Sequence, residues 1–517
     1  MNNTLLLLLT LLLSYHSAGN DLEIALDNSM TAFVTTWETT SPNQSLTIPT
    51  TGPGYNYDVD WGDGNITNNH NGNASHNYSS PGMYQISITG SFPRIFFLGA
   101  TDKDRIISID QWGTQVWLSM ENAFNGCSNL EELATDAPNL TVATSMRNMF
   151  RACTNLNQNI SNWNVSNITD MNSLFRDAYN FNQNINSWNV SNVMDMGYMF
   201  AYANHFDQPL DNWDVSNVTT MNNMFEETPF NQPIGIWDVS NVTSTAFMFS
   251  SNLVFNKDIS GWDVSQVTDM SGMFSSYLGT FKNNFNRNLG AWNVSNVTSF
   301  YEMFYQSKFN KNLGNWDVTG ATFVDYMFAY SDFDKDITAW DVSNITHFSG
   351  MFEGCINFNY DLSSWDVSNA IIMEVMFDGS GLTVEHYDLL LNNWSKLNLQ
   401  QDVIFGVGLT EYCDGEDGRM KLINDFNWTI NDGGPSAVVS IPNTFTNAMG
   451  NDLWNDDGNW SLGFVPNEIH AVTIPLGLTA NILAGEVCKC FTLEVEQGAV
   501  LEVNLTAELT VSAPCNY

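Results

Sequence analysis

The chain has 517 residues, with 16 Lys and Arg against 56 Asp and Glu, a formal net charge of -40. A surface this acidic adds charge to a phosphate array and displaces none of its counterions, so nucleic acid and anionic membranes are excluded as partners, and cationic proteins, divalent metals and neutral glycans are left. Only 14% of residues are charged and 43% are hydrophobic, which excludes a disordered chain; the length allows three or four domains.

The first predicted element is a secretory signal over residues 1–19. Thr4 to Leu13 is a run made almost wholly of Leu, and Ser17-Ala18-Gly19 supplies small residues for cleavage. The run is too short to cross a bilayer, which takes about 20 apolar residues. No Lys or Arg lies in Met1-Asn2-Asn3-Thr4, and no Cys lies near the cleavage point, which argues against a lipid anchor. The expectation is an exported chain, secreted or at the cell surface, with no membrane insertion.

Residues 30–98 carry short alternating runs such as Tyr84-Gln85-Ile86-Ser87-Ile88 between turn clusters. Asp60-Trp61-Gly62-Asp63-Gly64 is followed by His76-Asn77-Tyr78 and Pro81-Gly82-Met83-Tyr84. This segment resembles the polycystic-kidney-disease (PKD) type domain, which implies an immunoglobulin-like β-sandwich acting as a spacer. Gly62 and Gly64 suit a tight turn with positive φ, and Asp63 suits a bond to its own loop backbone. A metal role for Asp58, Asp60 and Asp63 is the weaker alternative.

Residues 104–380 repeat one phrase. Tryptophans fall at Trp163, Trp188, Trp213, Trp237, Trp262, Trp292, Trp316, Trp340 and Trp365, spaced 25, 25, 24, 25, 30, 24, 24 and 25 residues apart. A Met-Phe register (Met149-Phe150 to Met376-Phe377) and a Phe register (Phe181 to Phe358) run in phase. A fixed period in this range predicts a solenoid, whose coils bury their apolar edges only against their neighbours. The units W-[DN]-V-S-N-V-T-x-M-x-x-M-F resemble those of the BspA-like leucine-rich-repeat surface proteins and of mycoplasma lipoprotein-associated proteins. That resemblance implies a leucine-rich-repeat-like solenoid with a short parallel β-strand plus a short helical or 3-10 segment per coil. It also implies a surface protein that binds.

Within the repeat, the nine tryptophans and the Met and Phe columns read as core. The Ser and Asn that follow each Val predict hydrogen-bonded ladders between coils. The residue after Trp is acidic at Asp214, Asp238, Asp263, Asp317, Asp341 and Asp366. Coils about 4.8 Å apart would stack these carboxylates with a repulsion of only about 0.8 kcal/mol in water. Solvation therefore tolerates the column, and no cofactor is expected; calcium on it is the alternative. Cys127, Cys153 and Cys355 hold equivalent places and read as small apolar side chains, with a Cys127–Cys153 bridge the alternative. The 30-residue unit places extra residues around 277–284, a loop whose Tyr277, Phe281 and Lys282 are ligand-contact candidates; a neutral insertion is the alternative.

After Phe377 the period stops. Thr383 to Trp394 predicts a helix, Glu416 to Phe426 a second with Met420, Ile423 and Phe426 inward, and Trp428-Thr429-Ile430 a strand. Residues 381–434 thus read as a cap closing the stack. Residues 435–451 read as a linker and 452–517 as a small β module, either continuing beyond this sequence or ending a released protein. Cys488 and Cys490 would face the same way on a strand and make a poor zinc signal alone.

No nucleophile elbow, HExxH, phosphate loop or dinucleotide turn is present, and no His recurs at constant phase. The expectation is a non-enzymatic binding or adhesion protein presenting its solenoid to an extracellular protein or glycan. A carbohydrate-active enzyme on a solenoid scaffold and a passive envelope or matrix protein are the rivals. The ligand, the binding face and the oligomeric state stay open.

Overall fold

The computed structural model describes residues 31–436, 441–467, 470–490 and 492–511. The signal segment expected over 1–19, part of the linker and the last residues of the C-terminal module lie outside them. The N-terminal unit is all β: β1 (Phe33–Thr39), β2 (Gln44–Ile48), β3 (Asn56–Asp60), β4 (Ile66–His70), β5 (Ala74–Tyr78), β6 (Gly82–Ser91), β7 (Ile106–Gln111) and β8 (Glu132–Leu133). One sheet has the order β4-β3-β6-β1-β7-β8, and β2 and β5 pair separately. β7 is antiparallel to β1 but parallel to β8, so the N-terminal sheet runs without a break into the first coils. Their core is continuous as well, from Phe33 to Trp428.

From about Met120 each coil repeats one hydrogen-bond scheme. In the coil opening at Ser145, the N–H groups of Met146, Asn148, Phe150 and Ala152 donate to carbonyls of the next coil at 2.8–3.0 Å. The intervening N–H groups fold back within the coil, Met149 to Met146, Arg151 to Asn148 and Cys153 to Phe150. Sending alternate amides in opposite senses needs a reversal of backbone hand, so Asn148 and Ala152 take φ of 54° and 57°. The first of these positions recurs as Ser173, Tyr198, Asn223 and Phe247, all at positive φ. Each such residue costs on the order of 1–2 kcal/mol, offset by the amides it satisfies.

This corrects the expected strand and helical segment. The coils carry nine successive single-residue parallel bridges, from Ser145↔Asp170 to His347↔Ile372, followed by overlapping tight turns. The fold is a β-solenoid. Its interior is columnar: Phe150 to Phe377 stack at 5.4–6.0 Å between centroids in successive coils. Within a coil, Phe175 also lies 3.8 Å from Phe181.

The tryptophans bind neighbouring coils together. Seven indole N–H groups, from Trp188 to Trp340, donate at 2.9–3.2 Å to the Ile or Leu carbonyl that precedes the Trp of the coil before. The expected polar ladder divides in two. Asn Nδ2 reaches between coils, as Asn192 to the Ser166 carbonyl at 2.7 Å, whereas the Ser bonds within its own coil. Cys127, Cys153 and Cys355 are free and buried, so the Cys127–Cys153 bridge is not made. Thr228, Asn252 and Ser331 fill the same interior column, each buried like the cysteines.

The stack ends on α1 (Val384–Trp394), β9 (Ile404–Gly406), α2 (Glu416–Phe426) and β10 (Thr429–Asn431), with β9 and β10 parallel. Met373 bridges to Phe405, so β9 covers the open edge of the last coil. α2 buries Gly418 and Leu422; of the expected Met420, Ile423 and Phe426, Phe426 packs half-buried against the core, Ile423 is half-buried and Met420 is exposed. A Cβ at Gly418 would sit 2.4 Å from the Leu391 carbonyl, so the helices meet backbone to backbone there. Asp388, 3% exposed, accepts the amides of Cys413, Asp414 and Gly415 just ahead of α2. The C-terminal module pairs its strands in parallel: β11 (Ile441–Thr444), β12 (His470–Ile474) and β15 (Thr492–Val495) in one sheet, with β13 (Thr479–Ile482) on β16 (Val500–Val503) and β14 (Val487–Cys490) on β17 (Glu508–Val511). Cys488 and Cys490 both point into its separate core.

Candidate binding face

Each coil has an invariant edge and a variable face. On the invariant edge stand the residues after Trp. Asp214 Oδ1 accepts the Ser216 amide at 3.1 Å and hydroxyl at 2.7 Å, and Asp238, Asp263, Asp317, Asp341 and Asp366 each accept the amide two residues on. Serine hydroxyl and backbone donors hold Asp238 and Asp341 below the usual carboxylate range. Asn189 makes the same two bonds, so the position requires an acceptor and no charge. Among the described residues no group of three or more His, Cys, Asp or Glu could hold a metal ion. In the N-terminal unit, Asp63 bonds to His76 at 2.8 Å and to the Asn65 amide, Asp60 to the Gly62 amide and Asp58 to the Asn69 amide. Trp61 stacks on His76 at 5.1 Å, and Tyr78 donates to the Trp61 carbonyl. These residues tie their own loops together.

The variable face lies beside the bridge column. At the bridging residue and at the second, third, sixth and seventh residues after it, side chains differ from coil to coil, and in the first and last coils most of them reach the surface. The first coils are charged: Arg147 bridges Asp170 and Asp195, both at 2.8 Å. Tyr198, Tyr202 and Glu226 follow. Then comes a buried stretch of small residues, Ser250, Ser251, Ser271 and Ser275 among them, in which the Phe247 ring covers Gly272 so closely that a Cβ would lie 2.2 Å from it.

The last third of the face is aromatic and acidic. Tyr301, Phe323 and Tyr330 are 38–42% exposed. Tyr305 stands edge-on to Tyr330 at 5.9 Å, and Tyr330 donates to Glu353. That bond, with burial, pushes the Tyr330 phenol up to about 12, and burial with Glu302 does the same to Tyr301, so both rings are neutral. The inserted loop lands here. The 30-residue coil follows the ladder to Ser276, leaves it, and rejoins at Asn283, which bridges to Ser307. Tyr277 stacks on Tyr305 at 5.7 Å and donates to Glu302, while Lys282 reaches Asp332 at 2.6 Å, two coils ahead. Phe281 is 65% exposed. The three loop candidates thus stand beside the aromatic strip. Sequence reasoning missed Tyr301, Tyr305, Tyr326 and Tyr330. They stand at phases where other coils carry residues as different as Asn148, Arg176 and Ser251, so no period marks them.

A second concavity, about 750 Å³, opens between the last coil and the cap, lined by Asp378, Leu382, Glu385, Leu409 and Glu411. Asp378 Oδ1 is buried without a partner, and burial raises its carboxyl above the usual range.

A family model described as Mycoplasma protein of unknown function, DUF285, matches residues 118–229, 208–279 and 277–394. No curated protein and no solved structure matches the chain. Among the described residues no helix is long and apolar enough to cross a membrane.

Proposed function

This chain belongs to the family of Mycoplasma proteins of unknown function, DUF285, and on that premise we propose that it is a non-enzymatic binding protein which offers the variable face of its solenoid to an extracellular protein or glycan. The observation that carries this reading is the separation of roles between the two faces. The Trp and Phe that hold the stack together recur in coil after coil, and residues beside the bridge column are free to differ. An exposed aromatic patch at one end of such a face marks an interaction site.

The resemblance to BspA-like leucine-rich-repeat surface proteins, and of residues 30–98 to an immunoglobulin-like PKD spacer, supports secretion or surface display. So does the leucine-rich run at the N-terminus. The rival, a carbohydrate-active enzyme, needs two carboxyl groups set across a bound sugar. Glu302 and Glu353 lie in the aromatic strip, and each already accepts a tyrosine hydroxyl. A passive matrix protein remains the third reading.

Full-length protein applied to arrays of extracellular proteins and glycans, with and without calcium, tests the proposal. Saturable capture without turnover, lost in Tyr301→Ala/Tyr330→Ala, supports it. Release of products from a captured polysaccharide overturns it.

A further inference from the structure

Near the N-terminal end of the variable face the chain fills one of its own aromatic cradles. The guanidinium carbon of Arg176 lies 4.7 Å from the Tyr198 ring centroid and 5.7 Å from that of Tyr202. Tyr202 in turn donates to Glu226 Oε1 at 2.8 Å. Tyr198 and Tyr202 hold the third and seventh places after the bridging residue of their coil, and Glu226 the sixth place of the next.

Five coils on, the same arrangement returns. Tyr326, Tyr330 and Glu353 occupy the same three places, and Tyr330 donates to Glu353 as Tyr202 does to Glu226. Arg176's own place, the sixth of the preceding coil, is held there by Tyr305. There a tyrosine ring, edge-on to Tyr330 at 5.9 Å, takes the place of the guanidinium, so the second cradle has three rings and no cation of its own. Glu302, Asp325, Glu353 and Glu374 all bear on the Tyr326 phenol. Among the described residues, none of Glu302, Glu353 and Glu374 is ion-paired with a Lys or Arg. His347 acts electrostatically on Asp325, and its ring lies tilted against Phe323 at 4.7 Å.

We infer that the cradle of Tyr305, Tyr326 and Tyr330 receives arginine side chains from an extended basic segment of a partner protein. The inference rests on the variable face being the binding face, and it names the partner's chemistry. A planar, weakly hydrated guanidinium stacks on tyrosine faces while its N–H groups reach rim carboxylates. An ammonium lacks the plane to stack, and a neutral sugar leaves the carboxylates uncompensated. The overall charge of -40 draws the same kind of partner from a distance.

Isothermal titration of the full chain with an eight-residue Arg-Ser repeat peptide, a Lys-Ser counterpart and cellohexaose tests this. The arginine peptide is expected to bind about tenfold tighter than the lysine peptide, and Tyr326→Ala/Tyr330→Ala to weaken it about tenfold with the melting curve kept. Arg176→Gln, confirmed folded by circular dichroism, is expected to open the first cradle and raise the stoichiometry. Equal affinities for the two peptides, insensitive to the tyrosine variants, would mean diffuse attraction to the acidic surface and overturn the inference. Unchanged stoichiometry in folded Arg176→Gln overturns the equivalence of the cradles. Cellohexaose binding that the tyrosine variants abolish leaves the binding face standing and removes the arginine reading. If an array-identified ligand also ignores the tyrosine variants, both readings fall.

Discussion

The indole Nε1 of Trp237 donates to the carbonyl oxygen of Leu210, in the preceding coil, at 3.0 Å. The bond explains why tryptophan recurs at this phase, where a phenylalanine would fill much of the same space. In seven coils, from Trp188 to Trp340, it makes the largest side chain bond to a carbonyl of the coil before. Trp365 is the contrasting case, since its Nε1 is buried without a partner. Trp237→Phe is therefore expected to destabilise the protein by about 1 kcal/mol more than Trp365→Phe, the difference being one indole hydrogen bond, since the Leu210 carbonyl keeps the Trp213 amide. Urea unfolding followed by circular dichroism measures it, and equal losses would show that ring volume alone matters.

The acidic edge gives a pH prediction. Asp238, Asp263 and Asp341 have depressed carboxyl pKa values in the folded state, set first by serine hydroxyl bonds. A depressed pKa means that the stabilisation is present above the unfolded value, near 3.9, and is lost as pH falls through the folded value. Because Asn189 accepts the same bonds, the triple Asp→Asn variant should match the wild type at pH 7. It should also lose less stability between pH 5 and 3, the stated window being about one unit either side of the unfolded value. A variant that melts several degrees lower at pH 7 would instead assign the charge a structural role.

Phe247, Tyr326 and Tyr330 on the variable face are seated on glycines of the following coil. A Cβ at Gly350 would lie 2.3 Å from the Tyr326 ring, and Gly350 has φ of +56°. Gly350→Ala should cost about 2 kcal/mol or more in the wild type, from backbone strain and the displaced ring together. In a Tyr326→Ala background only the backbone share, on the order of 1 kcal/mol, should remain. A double-mutant cycle by thermal melting reads the coupling, and strict additivity would show that ring and glycine do not interact.

The interior cysteines are free and closed to solvent. Burial, more than any neighbour, pushes the Cys355 thiol up to about 12. Native protein at pH 8 should leave Cys127, Cys153 and Cys355 unlabelled by a thiol reagent, and denatured protein should label all three. Since Ala178 and Ala203 are buried at the equivalent places in other coils, Cys153→Ala should cost no more than about 1 kcal/mol. Rapid native labelling of Cys153 would contradict the packing described.

Much of this was legible in the residues themselves. A constant phase of Trp, Phe and Met can mean only that each column meets its own copy in the next coil, and period alone supplies that inference. The bounds of α2 and the start of α1 followed from apolar spacing and Thr383. The coil's backbone was not legible. Nothing about Tyr198, Phe247 or Val375 suggests positive φ, because the preference of L-residues is against it. Only the demand that alternate amides serve alternate partners imposes that conformation. The same gap hid the tyrosine strip, since residues that differ between coils carry no period. The inserted loop was visible as extra length, but its landing on Tyr305 and Asp332 depends on coil stacking.

The central claim is that one face holds the stack and the other meets a partner. It is tested most directly by comparing two folded variants for capture of the same array-identified ligand: Tyr301→Ala/Tyr326→Ala/Tyr330→Ala on the variable face and Asp214→Asn/Asp238→Asn/Asp263→Asn on the invariant edge. The account predicts at least about a tenfold loss of affinity for the tyrosine variant, or about 1.4 kcal/mol, and none for the edge variant. Loss in the edge variant with full capture by the tyrosine variant would contradict it.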